Sequence, residues 1–428
     1  MNKVFLTLAS CAIFISCKKE TVENIVIAPA TKPMEIKVEQ VVNDSTLVLK
    51  WSKYNGSGFQ KYRLVRSATL LKNGQFGLVA EPIDSSSDIK HLSFTEKSMP
   101  LAKEIAYDLF VSTDTTQYNG GFQYAARVGY QRPNSLFYGL PKDVLIDRQQ
   151  QWLYVMEENQ ISLVNYANGR IVTTKEMPVS IGFCSLGEFS GSRELYVPVN
   201  DGWLQILDAA TLQLKDRIYV GGYGIGSAVA VNGKLYVSSS DKSAGGYSNC
   251  IKVYDRATKQ LVGRTGYWDR TRLVYLEGSS VELIDLTMGD LNYYQFTPAG
   301  VPTKMDDSYY GGYQLDVNIV RSFPDGSRFI TSSSGTIFNR SLVFDRYINQ
   351  YGNYSDFAFN ADGSIIYAAY ANQKKIDVVT YPATTTINSY TTAFPPYKIF
   401  RDGNSLICLG RTYINQQMTY LLVEKINL

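Results

Sequence analysis

Residues Ala228–Val262 read AVAVNGKLYVSSSDKSAGGYSNCIKVYDRATKQLV. A short apolar strand runs into Asn232-Gly233, whose residue types supply the positive φ angles of a two-residue hairpin turn. A second strand, Leu235-Tyr236-Val237, leads through a polar loop, Asp241–Asn249, to two more strands joined by Asp255-Arg256-Ala257-Thr258. An aspartate opening such a turn accepts hydrogen bonds from the amides just ahead of it.

Weaker copies recur down the last two thirds of the chain. They line up on the second strand as Leu153-Tyr154-Val155, Leu195-Tyr196-Val197, Leu235-Tyr236-Val237, Leu273-Val274-Tyr275, Phe329-Ile330-Thr331, Ile366-Tyr367-Ala368 and Leu406-Ile407-Cys408. The mean step is about 42 residues, the period of four-stranded propeller blades, so seven anchors predict seven blades. The long step from Val274 to Ile330 reads as an insertion. Asp325-Gly326, Asp362-Gly363 and Asp402-Gly403 repeat the first turn; Asp208-Ala209-Ala210-Thr211 and, in reduced form, Asp285-Leu286-Thr287 repeat the second. Recurrence at one place in several copies makes these aspartates structural. The region 134–428 resembles the YVTN-type, quinoprotein-like propellers of secreted bacterial proteins and lacks the Trp-Asp endings of WD repeats. That resemblance implies a fold and says almost nothing about activity. The last repeat supplies only three strands before Leu428. A closed ring leaves no unpaired edge, so a strand from 134–141, containing Leu136-Phe137-Tyr138, is expected to complete it.

The composition agrees. In 428 residues, Lys and Arg number 42 against 39 Asp and Glu, a net charge of +3 without the clustered basic excess of a nucleic-acid binder. Tyr, Val, Ile, Thr and Ser dominate the patterned stretches, which favours an all-β protein.

At the N-terminus, Lys3 precedes an apolar run, Val4–Ile15, of secretory length and too short to span a bilayer. Its end, Phe14-Ile15-Ser16-Cys17, resembles a bacterial lipobox with phenylalanine in place of the usual leucine. The resemblance implies a signal peptide over 1–16, lipidation of Cys17, and a tether over 17–31. Lys18 is not the aspartate of inner-membrane retention, and Cys17-Lys18-Lys19-Glu20 resembles the charged export signals of Bacteroidota lipoproteins. An outer-membrane lipoprotein, on the cell surface or the periplasmic side, is the expectation. Cys184, Cys250 and Cys408 lie in apolar strand patterns with no Cys-x-x-Cys, which predicts buried free thiols.

Between residues 32 and 129, Met34–Val38, Leu47–Trp51, Tyr62–Arg66, Ile105–Ser112 and Gln123–Val128 read as strands of a two-sheet sandwich. Trp51, the Tyr62-Arg63-Leu64-Val65 strand, and Leu101 six residues ahead of Tyr107 resemble a fibronectin type III domain, with Lys103 where proline is usual. The resemblance assigns Trp51 and Tyr107 to a core and a corner.

Strand order puts the Gly turns and Asp turns of the repeats on one face of the ring. The longer connections occupy the other, with Tyr223, Tyr247, Trp268, Tyr309, Tyr310, Tyr313, Tyr397 and Tyr413. Rim aromatics stack on sugars or anchor protein partners. The reading is therefore a non-enzymatic, lipid-anchored envelope protein that binds a membrane through its lipid and an envelope complex or glycan through this face. Nucleic acid, metal and cofactor are not expected, and no catalytic residue is assigned. His91, the only histidine, falls in the sandwich, which removes His-based triads and metal centres from the propeller. The competing reading is a glycosidase or lyase using tyrosines or carboxylates drawn from Asp241, Asp269, Asp306, Asp307 and Glu277.

Overall fold

The computed structural model describes residues 33–43, 45–72, 75–100, 102, 104–115, 121–131, 136–240, 249–278, 280–287, 289–309, 312–415 and 418–428. At 43, 71–72, 75–76, 136, 307–309, 413–415 and 418 it describes the backbone alone. Residues 1–32, on which the expected signal peptide, the lipidation of Cys17 and the tether fall, lie outside the described residues. Every regular element is a β-strand. The chain divides into two compact units, Met1–Val65 with Pro82–Lys97 and Tyr107–Val128, and Arg66–Glu81 with Ser98–Ala106 and Gly129–Leu428.

The N-terminal region carries two sheets. Ile36–Asn43, Thr46–Trp51 and Ser93–Glu96 form one, in that order; Gln75–Ser86, Phe59–Lys72, Glu104–Thr113 and Gln123–Gln131 form the other. Alternation along Thr46–Trp51 buries Leu47, Leu49 and Trp51 on one face. Trp51 meets Tyr62 and His91 edge-on. Tyr107 is fully buried and donates to Glu96 Oε2 at 2.5 Å. The only histidine packs structurally, against Trp51 and 2.7 Å from Asp84. Two strands escape the sequence pattern. Gln75–Ser86 includes Gly77, Pro82 and Asp84, which interrupt the strand pattern, and pairing outweighs them.

From Leu136 onward the described residues form seven four-stranded sheets in succession. This is the repeated architecture of a β-propeller. The first strands of the sheets are Asp143–Asp147, Ser185–Phe189, Ile225–Val231, Arg272–Leu276, Val320–Ser322, Tyr354–Phe359 and Pro396–Asp402. In the first six sheets each strand pairs antiparallel with the next in sequence. In the seventh, Leu136–Gly139 lies on Met418–Asn427, with Phe137 opposite Leu421 and Tyr138 opposite Tyr420. Tyr138 and Tyr420 stack at 4.7 Å and share a hydrogen bond of 2.9 Å.

The core is distributed around the ring rather than gathered at one place. Each main apolar cluster spans two neighbouring sheets. Tyr154 of the first sheet packs with Leu195 and Val197 of the second, and Tyr196 with Leu235 and Val237 of the third. Phe137, Leu421 and Ile407 of the last sheet pack with Leu153 and Val155 of the first. The Leu-Tyr-Val pattern is therefore a stacking surface: an apolar strand whose central tyrosine fills the gap to the next sheet.

One repeat is out of register with the sequence alignment. Leu273-Val274-Tyr275 is the first strand of its sheet, and the second is Val281–Leu286, with Ile284 opposite Val274. With Ile284 in that place the steps even out and the insertion disappears. Asp306 and Asp307, read as loop residues, lie on the outermost strand Pro302–Tyr309. Asp285 does not open a turn. It is buried in the second strand, accepting from Asn292 Nδ2 at 2.7 Å and Tyr294 Oη at 3.0 Å, and burial pushes its carboxyl up to about 7.

The turns divide by side chain. Asp208 and Asp255 accept from the amides and hydroxyls of Thr211 and Thr258. Asn165, Thr297 and Asn339 fill the same position in other sheets. Asn232-Gly233 has positive φ at both residues, as does Ser190-Gly191, whereas at Asp325-Gly326, Asp362-Gly363 and Asp402-Gly403 only the glycine does.

Candidate functional site

Two regions of the propeller can hold something: the face carrying the longer connections, and the channel between the first strands.

On the long-connection face the chain enters the first sheet through Lys142, and a cavity lies on either side of it. One, of about 410 Å³, is lined by Lys142, Ser180, Asn200, Asp269 and Arg270; the other, of about 400 Å³, by Lys142, Asp316, Asn353, Tyr354 and Arg411. Close backbone approach shapes the first. Phe183 N donates to Gly226 O at 2.9 Å, and a Cβ on Gly226 would sit 2.2 Å from the Arg270 backbone. Only glycine fits there.

The aromatic residues assigned to this face separate into groups. Tyr223, 91% exposed, and Trp268, 38% exposed, stand in successive between-sheet connections beside the first cavity. Tyr267 and Tyr351, which the sequence reading passed over, are also exposed. Tyr313 stacks on Phe344 at 4.6 Å within the cluster joining two sheets. Tyr397 is a correction: it lies on the strand Pro396–Asp402, only 7% exposed, and its hydroxyl donates to Lys142 O at 2.8 Å. Its ring is committed to the core, with Arg411 4.0 Å from the centroid. Tyr309 and Tyr413 are also strand residues, because the hairpins carrying them extend past the ends anticipated from sequence. Tyr247 and Tyr310 lie outside the described residues.

Among the described residues Asp269, Asp306 and Glu277 do not converge. Asp269 is in the Trp268 connection, Asp306 is on an outer strand, and Glu277 is at the opposite end of the channel. Asp241 lies outside the described residues, and only the backbone of Asp307 is described. The three described cysteines are buried free thiols, and burial pushes Cys184 and Cys408 well up.

The channel is a cavity of about 620 Å³ lined by first-strand residues of all seven sheets. At one end Asp143, Arg272 and Arg321 line it, and Asp356 and Lys398 stand behind them in the same ion cluster, so that five sheets each contribute one charge. Arg272 donates to Asp143 Oδ2 at 3.2 Å and to Val317 O at 2.7 Å, with its guanidinium 4.3 Å from the Phe183 ring centroid. Arg321 grips Asp356 with two bonds, 2.9 and 2.6 Å, and lies over Phe400. Lys398 donates to Asn318 O at 2.5 Å. Asp143, Asp356, Arg272 and Lys398 are buried, whereas Arg148 and Glu277 at the other end are exposed, so the channel opens on the short-turn face. No spacing marks these five residues in sequence. The available signal is a charge recurring within the first three residues of these first strands.

Burial pushes the Lys398 ammonium down to about 8, against the pull of Asp356 and Asp143. Between about 8 and the ordinary lysine value near 10.5 the unfolded chain holds a proton that the folded chain has released. Stability should therefore rise with pH across that window. Urea midpoints of the wild type and Lys398→Met, taken from about pH 8 to 10, should diverge in slope, the variant being the flatter. Parallel curves would remove Lys398 as the cause.

The fold is shared with proteins of remote sequence. The chain matches the crystal structure of RRP9 WD40 repeats with a TM-score of 0.50 at 11% identity, over 69% of this chain and 99% of that one. No family model matches the chain, and no curated protein matches it by sequence. Its only Trp-Asp dipeptide, Trp268-Asp269, stands in a between-sheet connection. The described residues from 136 onward form a β-propeller, the fold that those repeats share. At that identity the likeness concerns the fold and carries no ligand with it.

Proposed function

We propose that this is a non-enzymatic, lipid-anchored scaffold or binding protein of the bacterial outer membrane, recognising an envelope protein or glycan through the long-connection face. The carrying observation is the asymmetry of the two faces. One carries short turns whose Asp, Asn and Thr side chains bind their own backbone. The other presents Tyr223, Tyr267, Trp268 and Tyr351 around two cavities. Exposed aromatic residues over polar hollows are the usual composition of a recognition surface. The N-terminal sheets serve as a fibronectin type III-like spacer, a reading supported by their three-plus-four strand order and the buried Trp51 and Tyr107. Anchoring rests on the lipobox resemblance at Cys17.

The double variant Tyr223→Ala/Trp268→Ala should keep its melting temperature, since truncating exposed side chains usually costs under about 0.5 kcal/mol. It should lose capture of native envelope partners by the solubilised full-length protein. Capture unchanged in that variant would refute the face assignment. Separately, Cys17→Ala should move the protein from the membrane to the soluble fraction; unchanged membrane association would refute the anchor.

A further inference from the structure

The channel lies apart from that face, and its chemistry is more specific. We propose that it binds a small hydroxycarboxylate with an apolar body, seated with its carboxylate on Arg321 and its hydroxyl on Asp143.

Four observations lead there. The volume, about 620 Å³, lies within the range of small-molecule sites. The walls between the charged end and the mouth are largely apolar, with Leu145, Leu186, Val231, Val274 and Phe359 among them. Arg272, Arg321 and Asp143 line the charged end, with Lys398 and Asp356 behind them, three cations against two carboxylates. Asp143 acts electrostatically on both Arg321 and Lys398, so the five behave as one cluster one negative charge short of balance. A monoanion restores neutrality, whereas a dianion overshoots and a zwitterion leaves the excess in place.

The fourth observation fixes the polar pattern. Arg321 spends Nε and Nη2 on Asp356, while Nη1 has no acceptor among the described residues; the side chain is 22% exposed although the Asp356 side chain is fully buried. Asp143 accepts from Arg272 at Oδ2, and its buried Oδ1 has no donor among the described residues. Both residues line the same cavity. One lacks an acceptor and the other a donor, and a buried polar group without a partner costs roughly 1–3 kcal/mol. A carboxylate with a nearby hydroxyl supplies both partners. Because Asp356 already holds the guanidinium in place, little ordering cost accompanies binding.

The test is calorimetric titration of the full-length protein with 3-phenyllactate, 3-phenylpropionate (no hydroxyl) and phenylalanine (zwitterionic). Phenyllactate should bind, and each comparison compound should bind roughly tenfold or more weakly, about 1.4 kcal/mol. Val274→Trp narrows the apolar wall without touching the charged end. It should reduce phenyllactate affinity by a similar factor at an unchanged melting temperature. Arg321→Lys keeps the charge and removes the fork, and should weaken binding although the net charge of the cluster is unchanged. Absence of phenyllactate binding at millimolar concentration overturns the proposal. So does equal affinity for the three compounds, or affinity unchanged in a folded Val274→Trp protein.

Discussion

Replacing Arg256 with methionine is expected to cost about 3–5 kcal/mol of folding stability, the usual cost of removing one partner from a buried ion pair. Arg256 stands in the turn of the third propeller sheet and reaches Glu194 of the second, with two bonds of 2.8 and 2.9 Å. Glu194 is fully buried, and its other donors are Tyr196 Oη at 2.8 Å and Lys215 at 3.1 Å. Burial alone would raise the Glu194 carboxyl. Hydrogen bonds from Arg256, Tyr196 and Lys215 outweigh that and hold it below the ordinary value near 4.5. The stability this contributes is therefore present above that value and fades on acidification. Without Arg256 the largest of those bonds is lost and the carboxyl should rise, so the stability gained above 4.5 should shrink. Methionine keeps the aliphatic stem and removes the guanidinium, which also lies 4.4 Å from the Phe189 ring centroid, so the loss combines the ion pair with that stacking. Urea denaturation of Arg256→Met, Glu194→Gln and the double variant measures the coupling. A loss under about 1 kcal/mol in Arg256→Met, or a double variant no better than the single, would show that Lys215 can stand in.

Phe137→Ala is expected to cost a similar amount, about 3–5 kcal/mol. Phe137 belongs to a strand of only four residues, Leu136–Gly139, yet it packs with Val144, Leu153, Tyr397 and Leu421 where the first and last sheets meet. The cavity would open at the seam, so a local unfolding step should precede the main transition. Hydrogen exchange should then show Met418–Asn427 losing protection before the second and third sheets do. Uniform loss of protection would mean that the seam melts only with the rest.

The architecture was legible because stacking repeats leave a period. Tyr154, Tyr196, Tyr236, Ile330, Tyr367 and Ile407 each sit on the second strand of a sheet. The misplaced repeat shows the limit of that signal. Leu273-Val274-Tyr275 resembles the others because first strands are as apolar as second ones, and only pairing distinguishes them. Asp285 misleads for a related reason. An aspartate ending a strand looks the same in sequence whether it caps a turn or is buried beside Asn292 and Tyr294. Nor does the period locate the channel site. Asp143, Arg272, Arg321, Asp356 and Lys398 come from five sheets, and only ring closure brings them together. Rim aromatics were identifiable by residue type alone, which separates neither Tyr397 in the core from Tyr223 in solvent.

The clasp between Leu136–Gly139 and Met418–Asn427 also bears on the order of folding. Its partners, such as Tyr138 and Tyr420, are 282 residues apart in the chain. Sheets one to six can each form from contiguous sequence as it is synthesised, whereas the seventh must wait for the last residues. Contacts of such long range are slow to form. Until they do, the last sheet keeps an open edge able to pair with another chain. The vulnerable species in biosynthesis is therefore an almost complete ring, and whatever protects the nascent chain has to shield that edge.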